Sequence, residues 1–249
     1  MRLFYFYLAV FLVLFVIFVF VSRIDAISIK NIVVIGNSVE KREDLESFVR
    51  DRIVGYYLFF IPKSNIFLYP KNTIERELKE QYKKIKDADL SFGNFNEIIL
   101  EVKDRKPKFI WCPDSSSDCY FADESGFIFT LAPDLSEDLY LRVSGGLSGD
   151  ALGQTFSISW PISRFLNFIE SVEAFNLDVV GFEIKGEGEI VINISHDRSL
   201  LINEKENLER ILLNLESVLL SDVFKDTNFD FEYIDLRLDN KIFYKLRRP

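Results

Sequence analysis

Ser195, His196 and Asp197 are the residues of this chain whose types could do chemistry, because together they are the residue types of a hydrolase triad. The triad relay needs the three side chains to converge, whereas neighbours in a strand point to opposite faces. Consecutive positions therefore do not form the relay. We expect these three residues to form a turn before a strand at Leu200.

The two cysteines, Cys112 and Cys119, lie in the segment CPDSSSDC, whose interior consists of turn-forming residues. In an oxidising compartment a disulfide between them would close a short loop and stabilise the fold by roughly 2.5 kcal/mol from chain entropy. Two free thiols are the second alternative. A metal site is the third, but it needs further ligands, and His196 is distant in sequence.

The remaining polar residues carry no catalytic signature. The sequence has no Gly-rich phosphate loop, no metal-ligand cluster and no activated nucleophile. We therefore expect no enzymatic activity, no catalytic residues, no metal, no cofactor and no small-molecule substrate. The net charge of −9, with basic residues interleaved among acids, argues against nucleic acid as a partner.

An uncharged apolar run from Leu3 to Val21 opens the chain. As a helix with about 1.5 Å of rise per residue it is roughly 28 Å long, close to the roughly 30 Å of a bilayer's hydrocarbon core. We predict one transmembrane helix over residues 3–21, a cytoplasmic stub of residues 1–2 and an extracytoplasmic remainder. A cleaved signal peptide is the alternative, but Ile24 suits the cleavage site poorly.

The segment after this run predicts a small α+β domain. A strand near residues 27–37 is followed by a helical pattern that contains Leu45, Phe48 and Ile53. A second helix follows with Asn72 as its expected cap, and strands near Ile85 to Phe92 and Glu97 to Lys103 complete the order strand, helix, helix, strand, strand.

The aromatic segment from Tyr56 to Tyr69 connects the two predicted helices. We expect it to contribute to the core and to form a connecting loop. The alternative is a patch that contacts a membrane surface or a partner protein.

The rest of the chain predicts a mixed β-sheet with helices on one face. A helix begins at Pro161, strands cover Val179 to Ile184 and Glu189 to Ile194, and a second helix runs from about Glu204 to Leu220. A final hairpin pairs Phe231 to Leu238 with Lys241 to Leu246 through a turn at Asp239-Asn240.

This hairpin is the predicted partner-binding site. A two-residue turn pairs Leu236 with Phe243, which would place Phe243 on the core face and Tyr244 on the opposite face. No later strand follows, so one edge stays unpaired and could accept a strand from another chain. The alternative is that an earlier strand or the tail Arg247-Arg248-Pro249 covers this edge. The residues assigned to partner binding are Arg237, Ile242, Phe243, Tyr244, Lys245 and Leu246.

Three segments resemble the FtsQ/DivIB family of cell-division proteins. Asp104-Arg105-Lys106-Pro107, followed by Phe109-Ile110-Trp111, is similar to that family's domain boundary. The stretch from Tyr120 to Phe129 resembles its turn pattern, and Tyr233-Ile234-Asp235-Leu236-Arg237 its closing strand. The resemblance implies a POTRA domain (β-α-α-β-β) over residues 27–104 and an FtsQ-like β-domain over residues 105–249.

The same resemblance implies a function. Members of that family are divisome scaffolds in the cytoplasmic (inner) membrane at the division site, and they control septal wall synthesis. The implied partners are FtsB/DivIC-like and FtsL-like coiled-coil proteins, other divisome proteins and the lipid bilayer around the N-terminal helix. A POTRA-containing envelope protein for polypeptide transport or assembly is the alternative.

Overall fold

The computed structural model describes residues 2–113, 118–133, 139–225, 230–238 and 241–247. The chain divides into two compact units, unit 1 (Met1–Arg105) and unit 2 (Lys106–Pro249). Each unit has its own core of buried apolar side chains. Both combine helices with β-sheet, which confirms the α+β fold class.

Helix α1 (Arg2–Ser22) is long and apolar enough to cross a membrane, and it is the one such helix among the described residues. Most of its side chains are exposed, which is compatible with a helix that crosses a membrane. At its end, the Ser22 hydroxyl donates to the Val19 carbonyl, and the buried Asn65 amide donates to the Ser22 carbonyl at 2.9 Å. The helix is thereby bonded to the folded part of unit 1.

Unit 1 contains a three-stranded sheet with the order β1-β5-β4, in which β5 is parallel to β1 and antiparallel to β4. The order along the chain is strand, helix, helix, strand, strand, with a short hairpin between the helices. Its elements are β1 (Asn31–Asn37), α2 (Arg42–Ile53), β2 (Tyr56–Tyr57), β3 (Ile61–Pro62), α3 (Lys71–Gln81), β4 (Ile85–Phe92) and β5 (Glu97–Asp104).

The core of unit 1 follows the apolar periodicity of these elements. Alternate residues of β5 are buried, namely Ile98, Leu100 and Val102, and helices α2 and α3 add their own apolar stripes. Each fully buried side chain of this size stabilises the unit by roughly 1.5–3 kcal/mol. The predicted cap at Asn72 is wrong, because α3 begins at Lys71 after Pro70 and no side chain caps it.

Gly36 lies near the end of β1, at a position where the Cβ atom of any other residue would clash. Its φ is +107°, and a Cβ there would lie 2.1 Å from the Val102 carbonyl oxygen in β5. Glycine is therefore required at position 36 by close main-chain contact within the parallel strand pair.

The prediction for the aromatic segment is confirmed for the connection between the helices and holds only in part for the core. Asn65 and Ile66 are buried, but the segment's phenylalanines are exposed. Tyr57 and Ile61 pair in the hairpin β2–β3, and the Phe60 amide donates to the Tyr57 carbonyl at 3.0 Å. The segment therefore carries its phenylalanines outside the core of unit 1.

Unit 2 is built on a nine-stranded mixed sheet with the order β14-β13-β12-β11-β10-β9-β6-β7-β8. Its elements are β6 (Phe109–Trp111), β7 (Tyr120–Ala122), β8 (Ile128–Leu131), β9 (Leu141–Gly145), α4 (Ile162–Glu173), β10 (Val179–Ile184), β11 (Glu189–Ile194), β12 (Arg198–Asn203), α5 (Leu208–Leu219), α6 (Asp222–Lys225), β13 (Phe231–Asp235) and β14 (Phe243–Leu246).

The main helices of unit 2 pack on one face of this sheet. Cross-strand pairing places Phe182, Ile192 and Leu200 side by side on the buried face, and Phe165 of α4 contacts Phe182 with ring centroids 5.0 Å apart. Helix α5 joins the same core, and its Asn207 cap accepts from the amides of Glu209 and Arg210. On the opposite face Val180 is exposed.

Cys112 and Cys119 are joined by a disulfide, the first of the alternatives considered for this pair. It links the end of β6 to the start of β7, and Cys112 is buried, with its amide donating to the Val143 carbonyl at 2.8 Å. The link therefore ties the start of β7 to the end of β6.

Reducing the disulfide should lower the free energy of unfolding of unit 2 by up to about 2.5 kcal/mol, the chain-entropy value for a loop of this length. Both tryptophans of the chain, Trp111 and Trp160, lie in unit 2, so their fluorescence during urea unfolding reports this unit. The double variant Cys112→Ser/Cys119→Ser is the control and should be insensitive to reductant. An unchanged midpoint for the reduced wild type would contradict the prediction.

Candidate partner-binding edge

Strand β14 forms one edge of the nine-stranded sheet. It pairs with β13 on one side, and no strand of the described residues pairs with its other side. The predicted unpaired edge is therefore present in this part of the chain. The predicted turn at Asp239-Asn240 lies outside the described residues.

The predicted register of this hairpin is wrong by one residue. Ile234 pairs with Tyr244 and Asp235 with Phe243, whereas a two-residue turn would pair Leu236 with Phe243. The register also shifts between Phe231 and Tyr233, where Glu232 is an extra residue in β13. A shift of one residue exchanges the two faces of a strand, so the predicted faces of β14 are exchanged as well.

The structure accordingly places Ile242, Tyr244 and Leu246 on the helix-bearing face, where we predicted the opposite. Ile242 and Leu246 pack against the core of unit 2. The Tyr244 ring contacts Phe224 of α6 edge-on, with centroids 5.2 Å apart, yet the residue is still 41% exposed. Phe243, predicted to be in the core, lies on the other face and is 51% exposed.

Main-chain hydrogen bonds show which groups of β14 face the free side. The Arg247 amide donates to the Asp230 carbonyl in the direction of β13, at 2.8 Å. The Leu236 amide donates to the Leu201 carbonyl in β12. Main-chain groups of successive residues in a strand point to opposite sides, so those of Tyr233 and Asp235 point towards β14. Both observations direct the N–H and C=O groups of Tyr244 and Leu246 away from β13. These groups form the unpaired edge.

Arg237 lies within a network of ion pairs on the face opposite the helices. Its guanidinium donates to both carboxylate oxygens of Asp235, at 2.9 and 2.7 Å, and to Glu189 of β11 at 2.5 Å. This fork fixes the end of β13 against the sheet. The predicted binding residue Arg237 therefore already has partners inside the chain, and its role at the edge is to position β13.

Lys245 also has a partner within the hairpin, because its ammonium group forms an ion pair with Glu232. Both side chains are exposed, so this pair adds little to stability. Its consequence is geometric, since the bulged residue Glu232 and the edge residue Lys245 are held side by side. Sequence reasoning missed the bulge and also missed Phe224, because no local pattern marks either feature.

Ser195, His196 and Asp197 form the exposed turn between β11 and β12, as predicted. His196 and Asp197 have positive φ values of 66° and 53°. The His196 ring lies 3.2 Å from the Ser195 hydroxyl, and the Asp197 carbonyl accepts from Arg247. This geometry is that of a tight hairpin connection beside the end of β14.

No protein-family model and no curated protein sequence matches this chain.

The Asp235 carboxylate should make unit 2 sensitive to acid. The hydrogen bonds from Arg237 hold the pKa of Asp235 below its ordinary value, and burial opposes them. The stability that this shift contributes is present above the unfolded pKa of about 3.9 and is lost as pH falls through the lower folded pKa. Asp235→Asn should therefore lose less stability than wild type between pH 5 and pH 3.

Urea midpoints read from tryptophan fluorescence across this pH range measure the difference. The control is Glu216→Gln, which removes an exposed carboxylate of α5 and leaves the network intact. Parallel losses of stability in wild type and Asp235→Asn would show that this ion pair has no share in the acid response.

Proposed function

We propose that this chain is a single-pass, membrane-anchored scaffold protein of the cell-division machinery, of the FtsQ/DivIB type. In this proposal unit 1 is a POTRA domain that helps recruit the protein to the division complex. The free side of β14 in unit 2 receives small coiled-coil partners of the FtsB/DivIC and FtsL kinds, which convey activation to septal wall synthesis.

Helix α1 and the element order of unit 1 support the anchoring and the POTRA parts of the proposal. The helix has the length and the composition of a membrane anchor. After it come a strand, two helices and two strands, and the last strand lies between the other two. The order of these elements along the chain is the one that the sequence resemblance implies for a POTRA domain.

The disulfide supports an extracytoplasmic location for the bulk of the chain. Disulfides form and persist in oxidising compartments and are rare in the cytoplasm. Cys112 and Cys119 lie in unit 2, far along the chain from α1. With one crossing by α1, everything after the helix lies on the same side of the membrane as this disulfide.

The unpaired edge of β14 is the observation that carries the binding proposal. Its N–H and C=O groups at Tyr244 and Leu246 have no strand partner among the described residues. An extended segment of another chain would complete this ladder. Its side chains would lie beside Tyr244 and Leu246 on one face and beside Phe243 and Lys245 on the other.

The substitution Tyr244→Pro should weaken partner binding without disrupting the hairpin. The Tyr244 amide faces away from β13, so its loss removes a hydrogen bond to the added strand and none to the sheet. We expect roughly a tenfold or greater loss of partner recovery, since one main-chain hydrogen bond is worth about 1 kcal/mol and the proline ring adds a clash. Affinity purification of the full-length protein from membranes, with mass spectrometry, measures this.

Tyr244→Thr is the matched control, because it removes the aromatic ring but keeps the amide. It should retain more of the partner than Tyr244→Pro does. Recovery of small single-pass coiled-coil proteins by wild type supports the division role. Recovery of secretion substrates or barrel components would instead support an envelope transport or assembly factor, and equal recovery by all three forms would exclude this edge as the site.

The proposed topology predicts selective labelling from outside the cell. In intact spheroplasts, a membrane-impermeant reductant followed by an impermeant maleimide should label Cys119, because unit 2 lies outside the cytoplasm. Omitting the reductant should prevent labelling, since the disulfide blocks both thiols. Labelling that requires lysis of the spheroplasts would reverse the orientation.

A further inference from the structure

The hairpin β2–β3 has an apolar turn where the backbone favours other residues. Leu58 and Phe59 occupy its two central positions with φ values of 46° and 67°. Turns with two positive φ values usually contain Asn-Gly, because bulky side chains are strained there. Leu58 is 76% and Phe59 is 89% exposed, so packing within unit 1 does not explain their presence.

This turn is bonded to the end of α1. The Arg23 guanidinium donates to the Phe60 carbonyl at 3.0 Å, and Asn65, just after the hairpin, donates to the Ser22 carbonyl. Phe60 lines a groove together with Phe15, Val16, Val19 and Phe20 of α1 and with Arg23, which directly follows the helix. At 1.5 Å per residue, Phe15 lies about 10 Å before the end of the helix. The hairpin tip is therefore level with the apolar part of α1.

Further exposed phenylalanines lie at the same end of unit 1. Phe67 contacts Phe92, with ring centroids 6.0 Å apart, and Phe95 is 95% exposed in the turn between β4 and β5. The next residue in that turn, Asn96, donates to the carbonyls of Asp25 and Ser28, in the segment that leaves α1. Five of the six phenylalanines in residues 23–105 are exposed, and Phe48 is the buried one.

Polarity changes in steps along the hairpin. Leu58, Phe59 and Phe60 form the apolar tip, and Tyr56 and Tyr57 follow behind it. The Arg23 guanidinium lies 5.8 Å from the Tyr56 ring centre, and the Lys63 ammonium lies 5.7 Å from the Tyr57 ring centre. The hairpin therefore carries apolar side chains at its tip, tyrosines behind them and cations last. A bilayer changes in the same order from its acyl chains to its headgroups.

We propose that the tip of β2–β3, residues Leu58, Phe59 and Phe60, inserts into the bilayer beside α1, and that Phe67, Phe92 and Phe95 contact the membrane interface. The lipid bilayer is assigned as the occupant because the tip continues the apolar surface of α1 and is bonded to its end. The inference rests on the proposed membrane anchoring by α1. It gives unit 1 two attachments to the membrane, so the unit cannot rotate freely about the helix axis.

Quenching by brominated lipid tests this insertion in the full-length protein. Phe59→Trp and Val39→Trp are each reconstituted into phosphatidylcholine vesicles with or without bromine near the top of the acyl chains. Val39 is exposed in the loop after β1, at the end of the strand away from α1, and serves as the matched control. Trp111 and Trp160 give both variants the same background.

We expect bromolipid to reduce the emission added by Trp at position 59 roughly twofold, as for a group about 5–10 Å below the headgroups, and to leave that at position 39 unchanged. Equal responses of the two variants would overturn the hairpin proposal. An emission shift at position 59 that grows with the protein-to-lipid ratio and occurs without bromolipid quenching would overturn it too, because a second copy of the chain would then cover the tip.

Flotation of the same vesicles separates this inference from the proposed function. Vesicles that carry both variants upward, without selective quenching at position 59, would leave the anchoring by α1 intact and reject the inserted hairpin alone. Protein that stays behind when the vesicles float would reject the anchor and the hairpin together.

Discussion

An open sheet has two outer strands, each with one row of main-chain groups that no strand of the sheet can satisfy. In unit 2 this constraint falls on β14 at one edge and on β8 at the other. Three contacts hold the β14 edge in place. The Arg237 fork fixes the end of β13, the Lys245–Glu232 pair aligns the two strands, and Phe224 supports Tyr244 from the helix side. The edge is short and carries a lysine, both of which limit pairing between copies of the chain.

The elements that the sequence predicted well are those whose apolar residues alternate strongly and whose ends carry turn residues. The strands Val179–Ile184 and Glu189–Ile194 have the predicted bounds, because both are rich in apolar residues and a glycine-rich turn separates them. In the second strand the buried isoleucines also occupy alternate positions. Helix α5 begins at Leu208 and not at Glu204, since Asn207 provides the cap. These are local features, and local rules describe them.

The register of the last hairpin is not a local feature. The pairs nearest the turn, Ile234 with Tyr244 and Asp235 with Phe243, are already offset by one residue, and the extra residue Glu232 shifts the register again beyond Tyr233. The ring of Phe224 contacts Tyr244 on the helix-bearing face. No spacing in the sequence indicates where a bulge occurs. The unpaired edge was therefore predictable, but the face on which each of its side chains lies was not. The exposure of the aromatic segment was not predicted, for a related reason. Its composition is that of a core segment, but the tight turn at Leu58 and Phe59 directs the side chains outward.

The position of β5 within unit 1 sets an order on folding. β1 comes first after α1, yet its ladder partner is β5, the last strand of the unit, which lies between β1 and β4. In the proposed topology the residues after α1 cross the membrane in chain order. β1 therefore reaches the extracytoplasmic side early and stays without its ladder partner until β5 arrives. Arrival of Glu97–Asp104 on the far side, and not insertion of the anchor, is then the event that completes unit 1.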